Sequence, residues 1–125
     1  AMDVKNTHGK WKVISHGGKT PTKLDALECA WESARRGAGE ILLTSMNNDG
    51  TKNGFAIEIT NTISKVVNIP VIASGGAGTM AHFKEVFQET KAGAALAASI
   101  FHFGEIPIPQ LKTYLQTQKI PVRCL

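Results

Sequence analysis

The chain has 125 residues and a mass of 13.4 kDa, the length of one ordinary domain, so residues 1–125 are treated as a single domain. A complete (β/α)8 barrel needs about 200 to 250 residues, so one copy of this chain cannot form one. Hydrophobic residues make up 42% of the chain and charged residues 19%, which is typical of a globular domain and not of a disordered segment.

The charge of the chain narrows the classes of partner. The formal net charge is +4, the basic residues are scattered, and aromatic residues make up only 6% of the chain. Since basic and aromatic residues do not alternate as they do on a base-stacking surface, we expect no nucleic-acid partner. A phosphorylated small molecule as ligand is the other explanation of the net positive charge.

Neither the cysteines nor the apolar runs indicate an exported or membrane protein. Cys29 and Cys124 are too few for a disulfide framework, and no signal peptide precedes them. No apolar run approaches the roughly 20 residues of a transmembrane helix. We therefore expect a reduced, cytoplasmic protein without a membrane partner.

The first predicted elements are a strand, a hairpin and a helix. Residues 2–4 have the character of a strand's end, and residues 11–15 alternate as in a second short strand. Thr20 as N-cap and Pro21 at the first helical position predict a helix that begins there. The residues predicted for its apolar face are Leu24, Leu27, Trp31 and Ala34, and those predicted for its C-terminal end are Arg35, Arg36 and Gly37.

Three further strand–helix units follow. Strands are predicted at residues 40–45, 71–74 and 94–99, and the segments after them have apolar residues at helical spacing, the last from residue 106. The predicted order is βα four times, with one small hairpin inserted after the first strand. Such alternation predicts an α/β fold with a parallel four-stranded sheet and right-handed crossovers.

In a parallel βα array, ligands bind at the carboxyl ends of the strands. The residues at the predicted ends are Asp3, then Thr44 and Ser45, then Ser74, Gly75 and Gly76, then Ala98 and Ser99. Glycines between a strand and a helix let backbone N–H groups face an anion, and a short helix can begin near Ser99. A Gly-Gly pair alone can also be a tight turn. Two adjacent strand ends that both carry small residues before a helix favour phosphate binding.

Two carboxylates and the histidines have competing interpretations. Asp3 can act as a general acid or base at the mouth of the sheet, or it can cap the following loop. Asp49 precedes a glycine, which a simple turn also explains. The 4 histidines lack metal-ligand spacing, so we predict no metal and no cofactor. We expect His82 to be solvated and Trp31 and Phe83 to be core residues.

Four segments, at residues 41–45, 48–54, 72–78 and 95–102, together resemble the C-terminal half of the cyclase subunit of imidazole glycerol phosphate synthase, an enzyme of histidine biosynthesis. They occur in the order of that family, and the resemblance extends from Asp3 to the end of the chain. The family is a TIM-type (β/α)8 barrel, so the resemblance implies that this chain is a (βα)4 half, with strands five to eight.

The resemblance also implies an activity. The cyclase joins ammonia to a phosphoribulosyl formimino derivative of aminoimidazole carboxamide ribotide and releases imidazole glycerol phosphate and aminoimidazole carboxamide ribotide. Ammonia comes from a separate glutaminase subunit. By resemblance, Asp3 matches the catalytic aspartate of the fifth strand. The other positions that match are Thr44, Asp49 and Ser74 in the substrate pocket, Gly50, Gly75, Gly76, Ala98 and Ser99 at a phosphate, and Glu40 at the ammonia entrance.

Departures from the family limit what this chain can do alone. Strands one to four, with the other catalytic aspartate, are absent from it, so we expect it to be inactive without an N-terminal half-barrel. Asn47 and Asn48 stand where an acidic and a basic residue are common, and residues 88–91 form a connection one residue longer than usual. Glu40 can also be simply a solvated residue that begins a strand.

Half a barrel would have two open sheet edges and an uncovered inner face, so we expect a homodimer in isolation. Two other functions stay open at this point. One is half of the sister phosphoribosyl-formimino isomerase, which shares the Asp-Gly-Thr loop. The other is a non-catalytic half-barrel module that only binds phosphate.

Overall fold

A computed structural model describes residues 1–124, which form one six-stranded sheet with helices packed against it. The elements in chain order are β1 (Met2–Thr7), β2 (Lys10–Ser15), β3 (Thr20–Asp25), α1 (Ala26–Arg35), β4 (Ile41–Ser45), α2 (Ile57–Val66), β5 (Val71–Ser74), α3 (Met80–Glu89), β6 (Ala94–Leu96), α4 (Ser99–His102) and α5 (Ile108–Thr117). The strand order is β3-β2-β1-β4-β5-β6.

Four neighbouring strands, β1, β4, β5 and β6, are paired in parallel, and each later strand is reached through a helix. Strands that pair in parallel need such crossovers, because a short turn cannot return the chain to the same end of the sheet. This arrangement is that of four consecutive units of a (β/α)8 barrel. The predicted α/β fold with four parallel strands is therefore confirmed and is compatible with half of a TIM-type barrel, although β2 and β3 extend the predicted four-stranded sheet to six strands.

All the helices that contribute to the core cover one face of the parallel strands. Alternate residues of each strand point to that face, and the ones that are buried there include Val4, Ile41, Leu43, Val71 and Ala73. They pack against apolar residues of the helices in two clusters. The first cluster contains Ala26 and Ala30 of α1 and Ile59 and Ile63 of α2. The second contains Phe83 and Val86 of α3 and Leu111 and Leu115 of α5. The intervening residues, among them Leu42 and Ile72, face the opposite side and are only half-buried.

The predicted helix start at Thr20 is wrong, because residues Thr20–Asp25 form the edge strand β3. Pro21 lacks the N–H of a ladder donor, which an edge strand tolerates as well as a first helical turn does. The helix begins at Ala26, and its N-cap is Asp25, whose Oδ1 accepts from the N–H groups of Leu27 and Glu28 at 3.0 and 3.1 Å.

The later start also rotates the buried face of α1. Its fully buried positions are Ala26 and Ala30, whose small side chains let the helix approach the sheet. Trp31, predicted to be core, lies one position away, which is about 100° around the helix, and is 55% exposed. Leu24 lies in β3 and is exposed, whereas Phe83 is buried as predicted.

The hairpin is larger than predicted and changes the edges of the sheet. β2 pairs antiparallel with β1 from Asp3 to Thr7, and β3 continues the same sheet beyond it. The outer edge of β1 is thus hydrogen-bonded from Asp3 onward, so the two edges of the sheet are β3 and β6. Within residues 1–124, β6 is the edge strand whose neighbour is parallel to it.

Two further boundaries differ from the predictions. The last strand ends at Leu96 instead of residue 99, because Ser99 already begins the short helix α4. The final helix begins at Ile108, after Pro107, and Pro109 lies in its first turn. Within residues 1–124, no helix is long and apolar enough to cross a membrane.

Replacing the N-cap distinguishes the two helix starts. We expect Asp25→Ala to lower the free energy of unfolding by about 1 kcal/mol, because two N–H groups of the first turn lose their acceptor. Thr20→Ala, which removes the N-cap predicted from the sequence, should change it by less than about 0.5 kcal/mol. Urea denaturation followed by circular dichroism measures both. A larger loss for Thr20→Ala than for Asp25→Ala would contradict this helix start.

Candidate functional site

A row of side chains crosses the uncovered face of the sheet near the carboxyl ends of β4, β5 and β6. Asp3 is level with this row but is not at the end of its strand as predicted, because β1 continues to Thr7 and pairs there with β2. Asp3 is in register with Thr44, Thr44 with Ser74, and Ser74 with Leu96. Since neighbouring strands lie about 4.8 Å apart, Asp3 and Ser74 are roughly 10 Å apart. Asp3, Thr44 and Ser74 are half-buried. The three polar residues predicted for the substrate pocket and catalysis on these strands therefore share one face and one level of the sheet.

A cavity of about 260 Å³ lies beside this row. Three connecting segments form it: the β4–α2 loop (46–56), the β5–α3 loop (75–79) and the β6–α4 connection (97–98). The lining residues are Asp49, Gly50, Lys52, Ser74, Gly75, Gly76, Ala77, Leu96, Ala97, Ala98, Ser99 and Ile100. All the residues predicted for phosphate contact line this single cavity, together with Asp49 and Ser74. Asp3, Thr44 and Glu40 do not line it.

Close packing of the β4–α2 loop on the β5–α3 loop shapes the cavity. The N–H of Gly54 donates to the carbonyl of Gly76 at 2.7 Å. Gly76 has φ +102, and a Cβ there would overlap the carbonyl oxygen of Gly54 and come within 3.0 Å of Asn48 Cβ. Gly76 is therefore required both by its backbone conformation and by the approach of the neighbouring loop.

The two asparagines that depart from the family pattern hold the β4–α2 loop in place. Ser45 Oγ donates to Asn48 Oδ1 at 2.7 Å, and Asn48 Nδ2 donates to the carbonyl of Gly54 at 3.0 Å. Asn47 Oδ1 accepts from the N–H of Asn6 at 2.8 Å, which joins the loop to β1. These amides make neutral hydrogen bonds to the loop's own base and to the neighbouring strand.

His82 is not solvated as predicted; its ring is half-buried and stabilises the start of α3. His82 Nδ1 accepts from the N–H groups of Gly78 and Thr79 at 3.1 and 3.2 Å, and the Thr79 side chain accepts from the His82 N–H in return. Such a reciprocal box satisfies N–H groups that have no partner within a helix. It also fixes the end of the β5–α3 loop. The sequence signal was Thr79, three residues before His82.

Lys52 is the residue of this site that sequence reasoning missed. It is the only basic residue that lines the cavity in the described part of the chain. Its side chain forms an ion pair with Glu105, at 2.7 Å between Nζ and Oε2. No local spacing in the sequence indicates a pair separated by 53 residues.

Glu40 lies at the other end of the sheet. It is exposed and directly precedes β4, whose far end carries Thr44 and Ser45. At about 3.3 Å per residue, four residues of strand separate Glu40 from the level of Thr44 by roughly 13 Å. Among residues 1–124, no group of three or more histidine, cysteine, aspartate or glutamate residues is arranged to hold a metal ion.

Comparison with known proteins agrees with this geometry. Residues 1–107 match the family described as "Histidine biosynthesis protein". The chain belongs to that family. Three curated relatives are each called imidazole glycerol phosphate synthase subunit HisF: the protein of Cytophaga hutchinsonii is 60% identical, that of Flavobacterium johnsoniae 57% and that of Phocaeicola vulgatus 55%. Each alignment spans 123 residues, which is 98% of this chain.

The same alignments cover only 49% of each relative, so the chain spans about half the length of these members of the family. A half-length match agrees with the half-barrel described above. It also confirms the resemblance to the cyclase subunit.

A single methyl group at residue 76 tests the close packing of the two loops. We expect Gly76→Ala to lower the free energy of unfolding by about 2 kcal/mol or more, from the left-handed backbone and the overlap with Gly54. Gly93→Ala is the control, since the nearest atom to its Cβ would be Pro70 Cβ at 3.7 Å. That variant should stay within about 0.5 kcal/mol of the wild type in urea denaturation. Equal effects of the two changes would refute the packing.

Proposed function

We propose that this chain is the C-terminal half of a cyclase that uses ammonia to form imidazole glycerol phosphate in histidine biosynthesis. In this proposal it binds one phosphate group of the phosphoribulosyl formimino substrate and supplies one of two catalytic aspartates. Membership of the histidine biosynthesis family and the relatives named as the synthase subunit support the pathway. The same names favour the cyclase over the sister isomerase.

The observation that carries the proposal is the cavity in which three loops converge. Small residues at 75, 76 and 98 line the cavity, so no large side chain stands between it and the backbone of these segments. Backbone N–H groups are partners that a phosphate dianion takes. We assign Gly50, Gly75, Gly76, Ala98 and Ser99 to phosphate contact.

Asp3 is the proposed proton-transfer group. It lies on the uncovered face, where a substrate held by its phosphate in the cavity can extend over Ser74 and Thr44 toward the carboxylate. At that position Asp3 can accept or donate a proton while ammonia is joined to the substrate. Asp49, at the edge of the cavity, is proposed to contact the substrate beside its phosphate.

Ammonia is proposed to enter from the opposite end of the sheet. Glu40 lies at that end, and Leu42 and Thr44 follow on the uncovered face of the same strand. A path along this face would bring ammonia to Asp3. We propose that Glu40 forms part of the entrance. A glutaminase subunit would supply the ammonia at that end.

The uncovered face requires a covering partner. Leu96 is 42% exposed on it, and Leu42 and Ile72 are half-buried there although no helix packs on them. We propose that an N-terminal half-barrel covers this face in the active enzyme and that a second copy does so when the chain is alone. A cytoplasmic location stays a prediction from the cysteine usage.

Reconstitution with an N-terminal half tests the catalytic assignment. The part of the Cytophaga hutchinsonii relative that lies outside the matched region is mixed with this chain, and ammonia-dependent product formation is measured. We expect activity that Asp3→Asn lowers by about 100-fold or more, the range expected for loss of a general acid or base. Phosphate binding, measured by calorimetry, should be unchanged in that variant.

Three outcomes separate the alternatives. Activity that survives Asp3→Asn would remove Asp3 from the mechanism. Phosphate binding without activity in any reconstituted pair would favour the non-catalytic module. Turnover of the isomerase substrate alone would favour the sister enzyme.

A charge on the uncovered face tests the homodimer. We expect light scattering at micromolar concentration to give a dimer for the wild type and a monomer for Leu96→Lys, because a buried lysine without a partner is costly. Val66→Lys is the matched control, since Val66 is 45% exposed and lies on the helical side. A monomeric wild type, or loss of the dimer in both variants, would contradict this interface.

A further inference from the structure

An ion pair joins the β4–α2 loop, which lines the cavity, to a segment outside the cavity. Lys52 Nζ donates to both carboxylate oxygens of Glu105, at 2.8 and 2.7 Å. Lys52 lies in the β4–α2 loop, and Glu105 lies in the α4–α5 loop (103–107), directly after the helix that begins at Ser99. The pair therefore connects the loop that carries Asp49 and Gly50 to the part of the chain that follows Ser99.

The base of the β4–α2 loop is anchored without this pair. Asp49 N–H donates to the carbonyl of Ser45 at 2.9 Å, and the N–H of Gly54 bonds to Gly76. The tip between these two anchors bonds mainly to itself, since Thr51 Oγ1 donates to the carbonyl of Asn48 at 2.6 Å. Among the described residues, the Lys52 side chain makes the polar contact that connects the tip to another part of the chain.

The backbone at the tip contains a strained residue, which would change conformation if the ion pair were lost. Lys52 has φ +57, in the left-handed region that residues with a side chain rarely adopt. Its carbonyl oxygen also lies close to Gly78, where a Cβ would overlap it. A strained residue of this kind keeps its conformation only when its surroundings hold it.

No other ion pair among residues 1–124 connects distant parts of the chain. Glu32 pairs with Arg35 and Arg36 within α1, where the two guanidinium groups lower the pKa of the Glu32 carboxyl to about 2. Lys12 and Asp25 join neighbouring strands at 4.0 Å. The exposed pair of Lys52 and Glu105 is thus the ion pair of the described residues that connects distant parts of the chain.

We propose that Lys52 and Glu105 form a latch that holds the tip of the β4–α2 loop in the geometry that binds the phosphate. Both are positioning residues: the pair acts on the loop, and the backbone of the loop acts on the anion. The inference rests on the proposed function for the identity of the ligand. The order of the loop in the absence of ligand is independent of that function.

Exchanging the two charges tests the latch. The variants are Lys52→Glu, Glu105→Lys and the double exchange, and the charge-matched controls are the exposed Lys23→Glu and Glu85→Lys. Amide hydrogen exchange of residues 50–54 is measured without phosphate. We expect each single change at the pair to speed exchange about two- to fivefold, the effect of losing a well-formed exposed ion pair, and the double exchange to restore the wild-type rate.

Binding of inorganic phosphate, measured by calorimetry, supplies the second readout. Each single change should raise the Kd about two- to fivefold, and the double exchange should recover the wild-type value. If Lys52→Glu weakens binding while Glu105→Lys strengthens it, with unchanged amide exchange, then Lys52 acts on the anion by its charge and the latch is wrong. A double exchange no better than the worse single variant would also overturn it.

The two proposals fail in different ways. A wild-type chain that binds no phosphate would contradict the proposed phosphate site, and the latch would then be judged by amide exchange alone. Normal phosphate binding together with unchanged amide exchange in all variants would contradict the latch and leave the proposed function standing.

Discussion

The parallel register of four strands is the constraint on which the rest of the molecule depends. Because Asp3, Thr44 and Ser74 are paired in register, their side chains stand at one level on one face of the sheet. The same register brings the loops after β4, β5 and β6 to one end, where they form a single cavity. A shift of one residue in any strand would turn its polar side chain toward the helices.

The sheet is covered on one side only, which is the main physical difference between this chain and a self-contained domain. The helices bury one set of alternating residues, while Leu42, Ile72 and Leu96 on the other face have no such cover. Apolar surface of this kind is stabilised by burial against another chain. In the proposed enzyme a second half-barrel would cover this face and enclose Asp3, so the proposed assembly and catalysis would depend on one surface.

The loops of the site are positioned largely by contacts between backbones. Gly76 accepts from Gly54 at 2.7 Å, in a space that a methyl group would fill. Asn48 adds side-chain bonds to that contact, and His82 holds the other end of the β5–α3 loop. Lys52, which lines the cavity, adds an ion pair with Glu105. Such an arrangement leaves small residues next to the cavity, as the proposed binding of a phosphate requires.

The amino-acid sequence alone predicts the alternation of strands and helices, the polar residues and glycines at the ends of β4 and β5, and the relation to the cyclase family. Periodicity and glycine placement are local properties, and several ordered motifs are specific enough to identify a family. The N-cap could not be decided in this way, because Thr20-Pro21 suits an edge strand and a helix start equally; pairing with β2 decided it. Tertiary contacts likewise decided that Trp31 is exposed and that His82 is half-buried. They also brought Lys52 next to Glu105, 53 residues away in the sequence. These outcomes depend on which segments meet in space, and that is a property of the whole fold, not of any window of sequence.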